Sequence, residues 1–366
     1  MPKSTTTFFL AFISFCSNAQ KPGLTLEKIG LKYLQREVSY IPTKTFTSLS
    51  YNGSDSLSNY RSRYSSVKSF YISKAEVTNR EYREFVYYIR DSTAHSLLAH
   101  FTSANTIDWS QKINWDDKQL AGMMISMENN YSGKKEIDPE KITWTINYFG
   151  HPETISVYPD TLTWIRDFKF SYNEPLVKKY FAHEEYDNYP VVGINIKQAM
   201  AFCEWKTGQV MRSLKTKDTS IQVQVELPTN AEWESAAFED RDSTLLSTKG
   251  KVYHYNFGNI IDGNRVTIKS YKDDGYFYTS PVKSYKAGLY GLYDMKGNVA
   301  EWTLTSMEEV MNAEVKAGRQ KSLFVAKGGG WNSTPFYLQA GACQFLPANE
   351  AHSYIGFRYV VHVKNK

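Results

Sequence analysis

The stretch GLYDMKGNVAEW, residues 291–302, sets two carboxylates, Asp294 and Glu301, seven positions apart around the turn Lys296-Gly297-Asn298. Acids flanking a glycine turn suit three chemistries: an acid/base couple, an oxygen cage for a metal ion, or plain loop shaping. Which of these applies decides whether the chain reads as an enzyme.

Composition bounds the answer. A chain of 366 residues can hold one large domain or two. Its hydrophobic content of 42% and aromatic content of 15% are too high for a disordered chain and predict a folded, loop-rich protein. The formal charge of +5 is small and dispersed, and no Lys or Arg run marks a phosphate-tracking stripe, so nucleic acid is not an expected partner.

Residues 1–19 read as an export signal. Lys3 gives a basic start, FFLAFISF at 8–15 is a short apolar core, and Ser17-Asn18-Ala19 offers a small-x-small cleavage site before Gln20. Eight residues are too few to span a membrane, which takes about 20, so the chain is expected to be exported and soluble or peripheral. Cys16 leaves a lipid anchor open, although Phe15 stands where that processing prefers a small residue. Cleavage would leave Cys203 and Cys343, which an oxidising compartment could join; spacing does not say whether they meet.

Beyond the signal, residues 20–65 are rich in Ser, Thr, Tyr and Lys with little periodicity and are predicted as an extended N-terminal arm. Residues 66–366 form the domain, with an irregular aromatic insertion at about 91–188 that carries short alternating strands such as Ile142-Thr143-Trp144-Thr145-Ile146. Three capping boxes mark helix starts: Thr78 to Glu81, Asn195 to Gln198 and Thr229 to Glu232, each followed by apolar residues at helical spacing. Their acids and amides are expected to cap backbone N–H groups rather than catalyse.

The ordered motifs FYISKAEVTNREYREFV (70–86), YPVVGINIKQAMAFCEW (189–205), ELPTNAEWESAA (226–237), GLYDMKGNVAEW, AKGGGWNS (326–333) and IGFRYVV (355–361) resemble the formylglycine-generating enzyme family, also called the sulfatase-modifying-factor domain. The resemblance implies an irregular α+β fold similar to C-type lectins, with little regular secondary structure, often stabilised by calcium. More narrowly, residues 157–193 and FVYYIRDSTA (85–94) resemble the gliding-motility lipoprotein K branch, GldK, called PorK in non-gliding relatives, of the Bacteroidetes type IX secretion machinery. That resemblance implies a periplasmic protein at the inner face of the outer membrane, forming a homo-oligomer or ring with a GldN/PorN-like partner. The weak lipobox and short length depart from it.

Enzymes of the family hold copper with two cysteines five residues apart. Counted from Trp331, those positions fall on Leu338 and Cys343, and one thiolate with a leucine cannot make a copper(I) site. Tyr354 replaces the asparagine that usually precedes the LGFR-type motif. No catalytic residues and no copper are therefore expected. The seven histidines show no i, i+4 pair for a three-histidine iron site, and no GxSxG, Walker loop or dinucleotide fingerprint occurs.

Calcium takes six to eight oxygens at flexible spacing. The resemblance carries over one structural site on the Asp294 side chain, the Gly297 and Val299 carbonyls and the Glu301 side chain. A second uses the Asn259 side chain, the Ile260 carbonyl, the Asp274 side chain and the Tyr276 carbonyl; there Asn259 and Asp274 equally suit turn shaping. Trp205, Trp233, Trp302 and Trp331 are expected in the core, and Arg358 is expected to pair with a buried acid or backbone carbonyls. Three functions stay open: a non-catalytic assembly component of a secretion or motility machine, which is the reading favoured; a formylglycine-type oxidase or other enzyme in the same cleft; and a peptide- or glycan-binding module.

Overall fold

The computed structural model describes residues 25–51, 60–126, 135–167, 174–214, 220–237, 260–262, 265–267, 275–311 and 323–365. A short helix α1 (Lys32–Glu37) runs directly into strand β1 (Val38–Ile41), and a hairpin of β2 (Lys44–Tyr51) and β3 (Tyr60–Val67) precedes β4 (Phe70–Ser73) and the long helix α2 (Asn79–Leu97). A second hairpin, β5 (Thr143–Tyr148) and β6 (His151–Ser156), is followed by short helices α3 (Thr163–Arg166) and α4 (Glu174–Lys179). Helix α5 (Ile196–Ser213), strand β7 (Ile221–Glu226) and helix α6 (Asn230–Ala237) then lead to a small hairpin, β8 (Ile260–Asp262) and β9 (Arg265–Thr267). The chain closes with β10 (Ala300–Ser306), α7 (Met307–Met311), β11 (Leu323–Lys327), β12 (Gln344–Pro347), β13 (Ile355–Gly356) and β14 (Val360–Asn365).

The expected capping boxes start the helices they were assigned to. Thr78 and Glu81 exchange side chain-to-backbone bonds at the head of α2, and Asn195 and Gln198 do so at α5. Before α6 the Thr229 N–H donates to Glu232 at 2.8 Å while the Thr229 hydroxyl accepts the Glu232 N–H at 3.2 Å. Each box satisfies donors that the first helical turn leaves without an intrahelical partner.

Two four-stranded sheets carry the core. One is antiparallel throughout, in the order β1-β4-β14-β7; the other runs β12-β11-β10-β13, with only β10 and β13 parallel. Between them Tyr82 and Phe85 of α2 meet Phe202 and Trp205 of α5, Tyr82 stacking on Phe202 at 5.8 Å. These interlocked rings bury a large apolar area with few rotatable bonds. The four motif tryptophans are buried as expected, and Trp164 and Tyr180 of the aromatic insertion pack inward as well.

The N-terminal stretch departs from the extended arm predicted for it. Leu26, Ile29, Leu31 and Leu34 join the main core, and β1 forms the edge of the first sheet against β4. The apolar residues there are divided among a turn, one helical turn and a four-residue strand, so no single period accumulates along the sequence. Residues 1–24, with the expected signal and Cys16, lie outside the described residues. No helix among the described residues is long and apolar enough to cross a membrane.

Candidate functional site

The turn within 291–302 winds into left-handed backbone. Asp294, Gly297 and Asn298 have φ of 54°, 79° and 63°. Glycine reaches this region freely, and Asp and Asn are among the few other residues that tolerate it. The Gly297 N–H donates to the Gly328 carbonyl at 2.9 Å, which ties the turn to the glycine run after β11. Asn298 fixes the far side: its Oδ1 accepts the Ser280 N–H at 2.8 Å and its carbonyl accepts the Trp331 N–H at 2.8 Å.

The two acids of this turn do different work. Glu301, on β10, is fully buried and grips Arg358 through both oxygens. Arg358 Nε donates to Oε2 at 2.6 Å and Nη2 to Oε1 at 2.7 Å, while the Trp233 indole N–H donates to Oε2 at 2.6 Å. The remaining guanidinium hydrogens reach the Ser73 carbonyl at 3.1 Å and the Tyr293 carbonyl at 2.9 Å. Arg358 thus finds both the buried acid and the carbonyls expected of it, in the bidentate geometry that gives the strongest charge-assisted bonds.

Asp294 is less completely satisfied. Its Oδ2 accepts the Lys283 N–H at 2.7 Å, but its Oδ1 is buried without a partner. The same holds for Glu76, just before α2: Oε1 accepts from the Asn298 amide at 3.1 Å and Oε2 is orphaned. Burial holds the Glu76 carboxyl well above its ordinary range, repulsion from Asp294 and Glu301 pushes the same way, and Arg358 opposes. Burial also raises Asp294, against the pull of the Lys283 N–H and of Arg358. Three buried carboxylates face one guanidinium, so the cluster needs either shared protons or another cation to be neutral.

That donor set fits a hard, oxygen-seeking cation only in part. Asp294 offers a buried oxygen in a curled loop, as calcium prefers, and Glu76, which hydrogen-bonds Asp294 when one proton is shared between them, offers another that sequence reasoning did not include. Glu301 can contribute only while already shared with Arg358 and Trp233. Among the described residues no group of three or more His, Cys, Asp or Glu side chains is arranged around a metal position. Of the second proposed set, Asn259 and Asp274 lie outside the described residues, Ile260 opens β8, and Tyr276 sits in the loop before β10.

Leu338 and Cys343, the two positions counted from Trp331, are both buried. Cys343 lies in a charged nest: its sulfur is 3.6 Å from Lys327 Nζ, and Lys327 pairs with Glu234 at 2.9 Å. The Lys327 ammonium also sits 5.6 Å over the Trp233 ring. Burial raises the Cys343 thiol, with Lys327 opposing. For Lys327 burial acts downward, but contact with the Cys343 sulfur and the charge and hydrogen bond of Glu234 outweigh it and leave the ammonium strengthened. Cys203 is likewise free and packs in a different cluster, between α5 and the first sheet.

Glu76, Trp233, Glu234 and Lys327 complete these clusters although none was singled out for chemistry in the sequence. All four sit inside quoted motifs (AEVTN, AEWESAA and AKGGG), where an acid or lysine among core-forming residues was the available signal. Elsewhere, His95 and His100 come together, their Nδ1 atoms 3.0 Å apart beside Trp109. A single proton between the rings satisfies that contact, and Asp108 nearby spends its carboxylate on Ser110 and Gln111.

A mixed α+β domain with a glycine-bound acidic turn and a buried Glu–Arg clamp defines the class. Comparison with known families matches residues 45–363 to the sulfatase-modifying factor enzyme 1-like domain, and the chain belongs to that family. It is 28% identical to the formylglycine-generating enzyme of Mus musculus over 47% of this chain and 44% of that one. It is 29% identical to the inactive C-alpha-formylglycine-generating enzyme 2 of Bos taurus over 40% of each chain. The chain thus spans less than half the length of these curated relatives. Among solved structures, PvdO from Pseudomonas aeruginosa superposes with a TM-score of 0.46 at 15% identity, covering 89% of this chain and 94% of that one.

Proposed function

We propose that this chain is a non-catalytic member of its family, acting as an assembly component of a bacterial envelope machine of the secretion or gliding type. The observation that carries the non-catalytic half is the pair of copper positions. Leu338 presents a hydrocarbon where a thiolate is needed, and Cys343 is buried as a thiol whose nearest charged neighbour is the Lys327 ammonium. A lysine in contact with the sulfur opposes a second cation there. One relative carries the word inactive in its name, a precedent within the family for losing the reaction.

The assembly half rests on the resemblance of residues 157–193 to the GldK branch. In this reading the protein is exported, lies in the periplasm against the outer membrane, and joins a GldN/PorN-like partner or copies of itself. Asp294 and neighbouring carbonyls would hold calcium, which would supply charge balance to the buried acids and no chemistry. Copper titration of the purified chain tests the first half: tight stoichiometric binding overturns it. Cross-linking in native cell envelopes tests the second: recovery of an isolated periplasmic monomer overturns it.

A further inference from the structure

Lys327 closes strand β11, and Cys343 stands one residue before β12. These strands pair antiparallel from Leu323 with Pro347 to Ala326 with Gln344, so the next step of the same register sets Lys327 opposite Cys343. Directly opposed residues of a strand pair bring their side chains together, and here the Lys327 Nζ reaches the Cys343 sulfur at 3.6 Å. On its other side the ammonium meets the Glu234 carboxylate at 2.9 Å. A thiol, an amine and a carboxylate therefore lie in one chain of contacts, with the amine in the middle.

The chain of contacts is reached from the sulfur end. Lys327 is 1% exposed, whereas Cys343 keeps 6% and adjoins the partly exposed turn at 339–341, so a small solute meets the sulfur first. Thiols that react with oxidants are those with some access and a cation at hand. Cys203 supplies the contrast within the same chain: it is buried on α5, and no lysine hydrogen-bonds to its sulfur among the described residues.

We propose that a peroxide joins Cys343 to Lys327 through a reversible sulfur–nitrogen bond, a sulfenamide, which staples β11 to β12. In the first step the sulfur attacks one peroxide oxygen, the O–O bond breaks, and the thiol proton leaves with the second oxygen as water. The sulfur is thereby oxidised by two electrons to a sulfenic acid, and sulfenic acids condense with a nitrogen held within reach. In the second step Lys327 passes one proton to Glu234, and its lone pair attacks the sulfur. The S–N bond forms, the S–OH bond breaks, and the hydroxide takes a second proton from the nitrogen and leaves as water. Glu234 ends protonated, so the buried ion pair disappears without stranding either charge. Two equivalents of an added thiol reverse the bond, restoring thiol and amine and leaving a disulfide of the reductant. The staple closes the loop 328–342, which carries Trp331 and Leu338. It does not rest on the assembly reading: the bond forms or fails whichever partner is recovered from the envelope.

The test uses the full chain, purified with its thiols reduced and treated with dilute hydrogen peroxide. Trypsin cuts after a free lysine, and between Lys327 and Arg358 the sequence offers no other site. The stapled protein should therefore yield residues 322–358 as one peptide, lighter by the two hydrogens lost, and a thiol reductant should restore cleavage at Lys327. Cys343 should be consumed at least about tenfold faster than Cys203, which lacks the lysine contact. Lys327→Arg keeps a cation beside the sulfur but no amine, so Cys343 should then pass on to sulfinic acid with no staple formed. Cys343→Ser should give no staple either, and circular dichroism should be unchanged in both variants. Sulfinic acid at Cys343 with Lys327 still cleaved in the unsubstituted chain, equal consumption of the two cysteines, or the same joined peptide from Cys343→Ser each overturns the proposal.

Discussion

Replacing Glu301 by Gln isolates what the buried clamp contributes. The substitution keeps the shape and removes the charge, so the Arg358 guanidinium, fully buried, loses its only bidentate partner and meets an amide N–H₂ in place of one oxygen. Breaking one side of a buried ion pair costs about 3–5 kcal/mol when the surviving charge is left unsolvated, an upper range here because Glu76 and Asp294 still face Arg358. With an unfolding entropy of about 2 cal/mol/K per residue, a chain of this size loses roughly 1–1.5 °C per kcal/mol. The expected drop in melting temperature is therefore about 4–7 °C, read by calorimetry. Two controls separate the clamp from a calcium role. In excess chelator the drop should persist in full, since Arg358 has lost its bidentate partner whether or not a metal sits nearby. Adding Arg358→Met to Glu301→Gln should restore part of it, because the guanidinium that lost its bidentate partner is then gone. A drop below 1 °C in chelator, or simple additivity of the two substitutions, would refute the reasoning.

His362 is held between Glu226 and Glu232, which raise its pKa to about 9 against the loss from burial. Its stabilisation is fully present below the ordinary value near 6.5 and disappears as pH rises through 9, so the unfolding free energy from urea titrations should fall by about 1–3 kcal/mol between pH 6.5 and 9.5 and stay flat in that window for His362→Gln. Glu234→Gln strands the Lys327 ammonium and removes the charge that raises Cys343; thermal stability should fall by about 3 kcal/mol and the thiol should titrate at lower pH by thiolate absorbance, while Lys327→Met should move the thiol the other way. Adding a methyl at Gly356 would place a Cβ 2.8 Å from the Val191 carbonyl and from Val299, so Gly356→Ala should cost about 1–3 kcal/mol by overpacking, measured as an earlier denaturation midpoint.

The parts of the fold legible in the sequence are those governed by neighbours along the chain. Thr78, Asn195 and Thr229 each announce a helix because capping is settled within four residues. The burial of Trp233 and Trp302 and the partner class of Arg358 were also readable, since a motif-embedded tryptophan or arginine has few fates. The N-terminal stretch was not readable in this way. Leu26 through Val38 become core only by meeting strand β4 and helices far along the chain, and four short apolar contacts carry no period. The acidic cluster failed for a related reason. Glu76 lies 218 positions from Asp294 in sequence order, yet one asparagine, Asn298, bonds to Glu76 from the same turn. Spacing within GLYDMKGNVAEW pairs Asp294 with Glu301, whereas folding pairs Glu301 with Arg358 and leaves Asp294 beside Glu76.

Trp233 shows how the buried clamp and the cysteine nest are connected and yet separable. Its indole N–H braces Glu301, and its ring lies under the Lys327 ammonium that approaches Cys343. One side chain therefore touches both the clamp that holds β10 to the segment before β14 and the nest around the cysteine. The clamp closes without any group at Leu338: its acceptors are Glu301 and the carbonyls of Ser73 and Tyr293. Leu338 makes none of the clamp's bonds, so a change of side chain there leaves these charge pairs intact. At Glu301 a hydrocarbon would leave the Arg358 Nε and Nη2 hydrogens and the Trp233 indole N–H without their acceptor. The clamp meets the indole N–H and the cysteine nest meets the ring of one tryptophan, so the acidic turn can hold the fold whatever chemistry is decided at Leu338 and Cys343.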